Sequence, residues 1–194
     1  MKSTILKIFL EWLARVLNPA KPQWREKRKA TTKESLAVQW SKEDLANMAA
    51  TIFGEARNEP ENGKWAVGHV ILNRAKANKA HWGIGISGVC RKPLQFSCWN
   101  KNDPNAPRCH DVYRDVMDEA FEEMSRAAAH CYNAALAVRE GVEDPTGGAT
   151  HYYAPAGMKA LVARGLAKSE VPAWAKGRTP TATIGGHIFY KLEA

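Results

Sequence analysis

Among the 194 residues, the acid best placed to move a proton is Glu55, in the run FGEARNEP. On a helix turning roughly 100° per residue, it falls just beyond Met48 at the rim of an apolar stripe. A carboxyl there is neither fully solvated nor fully buried, and partial desolvation raises its pKa toward what a general acid needs near neutral pH. The competing reading is a rim glutamate paired with Arg57 or Arg74, which stabilises little. Glu59 is the one other acid close enough in sequence to share the work, and before Pro60 it reads as a helix-end charge. Asp144 opens the turn Asp144-Pro145-Thr146-Gly147-Gly148, where an aspartate caps its own backbone, a structural role. The six histidines, at 69, 81, 110, 130, 151 and 187, form no HExxH or other close ligand spacing. Cys90, Cys98, Cys109 and Cys131 include no CxxC pair and are poorly spaced for zinc. They leave open one or two disulfides, or four free thiols. Gly147-Gly148 precedes a strand pattern rather than a helix, against a phosphate cradle.

Helices and strands must position these groups. Ser41 and Asp44 form a capping-box pattern, and Leu45, Met48, Ala49, Ile52, Phe53 and Ala56 follow at helical spacing. Pro60 disfavours helical geometry before it, closing this helix near Asn58. A second helix is expected over about 63–77, with Trp65, Ala66, Val70, Ile71 and Ala75 inward. Gly83, Gly85, Gly88, Pro93, Pro104 and Pro107 mark a long irregular region. Residues 111–140 read as one helix, or two broken near Asp118, with Gly141 as its stop. Residues 149–154 and 184–192 read as strands, with a helix at about 157–168 between them. The expected fold is a mostly helical α+β domain over residues 41–194 with a small sheet.

Composition sets the limits. With 45% hydrophobic and 25% charged residues the chain is globular, which excludes a fibrous repeat or disorder throughout. The formal charge of +8 is uneven: residues 1–40 carry nine bases and three acids, 9 − 3 = +6, and residues 41–194 carry 19 − 17 = +2. The domain is nearly neutral, against nucleic-acid binding. In residues 1–19, Lys7, Glu11 and Arg15 sit four apart opposite a wide apolar stripe. This amphipathic helix either lies on an anionic membrane or envelope surface or packs on protein. It lacks the unbroken apolar core of a signal peptide and the length of a spanning helix. Residues 20–39 read as a basic linker.

Four blocks, GEARNEPENGKWAVGHVILNRAK, VCRKPLQFSCWN, DPTGGATHYYAP and IGGHIFYK, occur in the order found in the cell wall hydrolase family that includes the spore cortex-lytic enzymes and related bacterial and bacteriophage lysins. The resemblance covers residues 45–191. It implies a lysozyme-like domain with a small antiparallel sheet and a monomeric lytic transglycosylase that cuts the MurNAc–GlcNAc bond of peptidoglycan. Glu55 falls on the family's catalytic acid, and no metal or cofactor is required. The family's blocks place Gln95, Phe96, Ser97, Trp99, Thr150, Tyr152 and Tyr153 around a glycan groove. Tyr152 and Tyr153 point to opposite faces of a strand, so at most one of them faces the groove. Asn73 and His187 also lie in these blocks, as hydrogen bonders behind Glu55 or the loops. A muramidase-type hydrolase, a metal-dependent wall amidase and a non-catalytic envelope binder remain as alternatives. The site of action is the bacterial wall or periplasm, reached by export, by release through a phage holin or in a virion.

Overall fold

The computed structural model describes residues 40–192. The amphipathic helix and basic linker expected in residues 1–39 lie outside the described residues. Helix α1 (Lys42–Ala56) starts at the anticipated capping box: the Ser41 hydroxyl accepts from the Asp44 amide, and the Asp44 carboxylate accepts from the Ser41 amide. Ten of its residues are buried, and it packs against α4 (Ala106–Met117) and α5 (Arg126–Arg139). Helix α2 (Glu61–Ala77) follows Pro60 and stops at Asn78, whose left-handed backbone turns its amide back onto the carbonyls of Arg74 and Ala75. The long periodic stretch is two helices, parted at Asp118, with Ser125 capping α5.

Two expectations need correction. The region thought irregular contains helix α3 (Gly85–Arg91) and a short 3-10 turn (Ser97–Trp99). Two glycines weaken α3 locally, but Ile86, Val89 and Cys90 are buried, and the Ser87 amide and hydroxyl both donate to the Asp44 carboxylate. Tertiary anchoring overrides propensity there. The last segment is a hairpin rather than one strand. Strand β2 (Ala182–Ile184) turns through Gly185-Gly186 into β3 (His187–Tyr190), which also pairs antiparallel with β1 (His151–Tyr153). Gly185 has φ 56°, and a Cβ there would lie 1.9 Å from Glu59 Oε2, so no side chain fits the turn. Helix α6 (Pro155–Ala163) lies between β1 and β2, starting and ending earlier than anticipated.

Most of the core joins α1 to α2, α3, α4 and α5. A smaller cluster of Ala66, Val70, Ala149 and Phe189 fastens the sheet to α2. The result is a mostly helical α+β domain whose small antiparallel sheet stands beside the last turn of α1. Among the described residues no helix is long and apolar enough to cross a membrane.

Candidate active site

The last turn of α1 carries Glu55 to the sheet. The Tyr152 hydroxyl donates to Glu55 Oε2 at 3.1 Å, while Oε1 is buried without a hydrogen-bond partner. Burial pushes the Glu55 carboxyl above the usual carboxylate range, against the opposing pull of the Tyr152 hydroxyl and of the Cys98 amide and thiol. The negative charge of Asp103 adds to the rise. The ion pair that would have made Glu55 an ordinary rim glutamate does not form. Arg57 donates to the Phe53 carbonyl and to Asn105, and Arg74 donates to the Thr150 carbonyl and to Gln95.

Glu55 reaches this setting because its neighbour is Gly54. A Cβ at Gly54 would lie 2.3 Å from Cys98 Cβ and 3.0 Å from Cys109 Sγ, so the 3-10 turn presses directly on the α1 backbone. All four cysteines are buried free thiols. Contact with Cys109 and burial together hold the Cys98 thiol protonated.

Tyr152 is fixed from behind. Its ring meets His187 edge-on at 5.1 Å and Phe189 at 5.6 Å, and burial raises its phenol well above 10, so the hydroxyl stays a neutral donor. His187 is buried with Nδ1 3.8 Å from Glu59, and burial lowers its pKa. Glu59 is more than a helix-end charge: its carboxylate accepts from the Gly186 amide at 2.8 Å, tying the hairpin to the end of α1. Lys64 Nζ donates to the Glu59 carbonyl.

Beyond Tyr152 opens a cleft of about 1050 Å³, walled in part by Arg74, Gln95, His151 and Tyr152 from the regions singled out in the sequence. Its other walls include His81, Trp82, Trp174 and Arg178, which no motif indicated, and Lys191, which closes the last family block. Trp82 and Trp174 flank His151, with ring centroids 5.9 and 5.2 Å away. Glu55 is not itself in the cleft wall; Tyr152 connects the two.

The other expected residues divide clearly. The Thr150 hydroxyl exchanges hydrogen bonds with the Leu192 backbone beside the cleft. Ser97 is exposed at the start of the 3-10 turn. Phe96 is buried beneath the Arg74 guanidinium, 5.4 Å from the ring centroid. The indole of half-buried Trp99 donates to Thr51, and Arg91 lies 3.5 Å over its ring. Tyr153 is turned to the opposite face, stacked on Tyr190 and set against Trp174. Asn73 donates to Asp144 and to the Ala149 carbonyl, and Asp144 also accepts from Thr146 and Gly148. That pair braces the loop entering β1. Among the described residues no three His, Cys, Asp or Glu side chains converge as a metal set.

A helical domain that sets one buried carboxyl against a sheet tyrosine beside an aromatic cleft has the fold of a known catalytic domain. The chain superposes on the catalytic domain of the Bacillus cereus SleB protein with a TM-score of 0.52 and 27% identity, covering 84% of this chain and 100% of that one. The family described as Cell Wall Hydrolase matches residues 58–190, and the chain belongs to that family. Glu55 stands just ahead of the matched span. The chain is 31% identical to the spore cortex-lytic enzyme of Halalkalibacterium halodurans, over 77% of this chain and 35% of that protein. It is 29% identical to the one from Oceanobacillus iheyensis, over 78% and 43%. It thus spans less than half the length of these relatives.

Proposed function

We propose that the chain cleaves peptidoglycan as a lytic transglycosylase, with Glu55 as its single acid and base. The observation that carries this reading is the Glu55 carboxyl, driven up in pKa by burial and joined through Tyr152 to a cleft large enough for sugars. Membership of the cell wall hydrolase family and likeness to spore cortex-lytic enzymes support the substrate class.

In its acid form Glu55 gives its proton to the glycosidic oxygen as that oxygen leaves C1 of N-acetylmuramic acid. As carboxylate it then takes the proton from the C6 hydroxyl of the same sugar, whose oxygen closes on C1. The product is a 1,6-anhydro sugar, and the carboxyl ends in the protonation state in which it began. The attack is intramolecular and gains from high effective molarity, so a second carboxylate is not required. Tyr152 holds the carboxyl in place and favours its ionised form in the second half of the reaction.

The test is Glu55→Gln, which keeps size and removes proton transfer. Its clearing of a suspension of purified peptidoglycan should fall by at least about 100-fold, the scale of general acid–base catalysis, while its melting transition stays cooperative. A folded Glu55→Gln protein with full activity would overturn the assignment.

A further inference from the structure

The cleft beside Tyr152 has a one-sided charge. Three permanent cations, Arg74, Arg178 and Lys191, line it, with His81 and His151, and among the described residues no carboxylate is in its wall. Arg74 is buried and spends its guanidinium on the Thr150 carbonyl and Gln95. Arg178 and Lys191 are exposed and, among the described residues, join no ion pair. The positive field registers on His151: burial, then the charges of Arg74, His81 and Arg178, push its pKa down to about 4, so at neutral pH it is an uncharged ring between two indoles.

Such a wall suits a ligand with two characters. Half-buried Trp174 offers an apolar face for a sugar or an aliphatic chain, with the buried Trp82 backing His151, and the free cations call for anions. N-acetylmuramic acid stripped of peptide carries one, its lactyl carboxylate, and an acidic peptide carries more. The volume, about 1050 Å³, exceeds what a single small anion would need and is at the upper end of organic ligand sites. We propose that this cleft binds a peptide-substituted sugar, with Arg178 and Lys191 receiving the carboxylates of the peptide and Trp174 flanking its apolar parts. The proposal rests on the peptidoglycan reading and deepens it: the enzyme selects glycan that still carries acidic peptides over glycan stripped of them.

The test measures binding without cleavage, so that it stands apart from the Glu55 assignment. The probes are a fluorescent N-acetylglucosaminyl-N-acetylmuramic acid disaccharide bearing its acidic peptide, and the same disaccharide with its lactyl carboxyl capped as a methyl amide in place of the peptide. Neither contains the internal bond that the enzyme would cut. The full chain should bind the peptide-bearing probe about tenfold more tightly at low salt. The double variant Arg178→Gln, Lys191→Gln should reduce that preference to under about threefold with an unchanged melting temperature. A charge-matched control, Lys101→Gln with Arg126→Gln, changes exposed residues outside the cleft wall and should keep the preference. Equal affinity for the two probes, an equal loss in the control, or competition by inorganic phosphate as effective as by the peptide-bearing probe would overturn the proposal. Failure of the Glu55 reading would show separately, as a Glu55→Gln protein that still clears peptidoglycan.

Discussion

Tyr152→Phe isolates one hydroxyl at the centre of the site. Phenylalanine keeps the ring against His187 and Phe189, so the packing survives and only the 3.1 Å bond to Glu55 Oε2 is lost. Oε1 has no partner, so that bond is the carboxylate's main hydrogen bond, ahead of the weaker pull of the Cys98 amide and thiol. A hydrogen bond to a charged acceptor contributes ~1.5–3 kcal/mol, and a tenfold change in an ionisation equilibrium corresponds to ~1.36 kcal/mol. Losing the bond disfavours the ionised form, so the Glu55 pKa rises further. Glu55 must be protonated for the first step, so kcat/KM falls as pH climbs through its pKa. The descending limb of the pH–rate profile should therefore move to higher pH by about one to two pH units in the variant. Stability carries the same sign. With its folded pKa already raised, Glu55 costs stability as pH rises past the ordinary carboxylate value, and the variant increases that cost. Its melting temperature should fall more at pH 8 than at pH 4, where the carboxyl is protonated. Turbidity loss of purified peptidoglycan across pH, with calorimetry at the two extremes, checks both. A descending limb that stays in place or moves to lower pH would refute the coupling of Tyr152 to Glu55.

Gly54→Ala would set a Cβ 2.3 Å from Cys98 Cβ and 2.7 Å from its Sγ, so it should lower stability by ~1–3 kcal/mol in a denaturant titration and depress activity with it; an unchanged midpoint would deny the close approach. Burial alone would raise the Asp144 pKa, but hydrogen bonds from Asn73 and Thr146 hold it below its ordinary 3.8. The stability it supplies is present above that pH and lost as pH falls through the lower folded value, so Asp144→Ala should be destabilised at pH 7 and converge on the parent near pH 2, read by thermal melts. We further propose that residues 1–40, with net +6, bring the domain to anionic envelopes. Deleting them should lower lysis of whole cells in low salt far more than cleavage of soluble glycan fragments, and equal losses would give that segment no targeting role.

The helical frame is readable in the sequence because local signals and burial agree there. The Ser41 capping box, the apolar spacing of α1 and the break near Asp118 each state their own geometry. Where tertiary contacts decide, the residues are silent. Helix α3 is glycine-rich and held from outside by Asp44, and the Gly185-Gly186 hairpin depends on Glu59 gripping it from the end of α1. Within the site, the position of Glu55 at the stripe's rim was legible, and strand alternation separated Tyr152 from Tyr153. The indoles and cations of the cleft were not, because Trp82, Trp174 and Arg178 are scattered along the chain outside any motif, and Lys191, though it closes the last family block, has nothing in its spacing to mark it as a cleft cation. Trp99 is the opposite case. Its aromatic character suggested the groove, and only the fold reveals that its indole also meets Thr51 and Arg91.

The central claim, that a lone carboxyl at position 55 lets the substrate's own C6 hydroxyl complete the cleavage, is tested most directly by mass spectrometry of the muropeptides released from purified peptidoglycan. Products ending in 1,6-anhydro-N-acetylmuramic acid are expected, each lighter by one water than a hydrolysed end, and they should disappear with Glu55→Gln. Reducing ends in place of anhydro ends, or free amino groups with the glycan uncut, would contradict it.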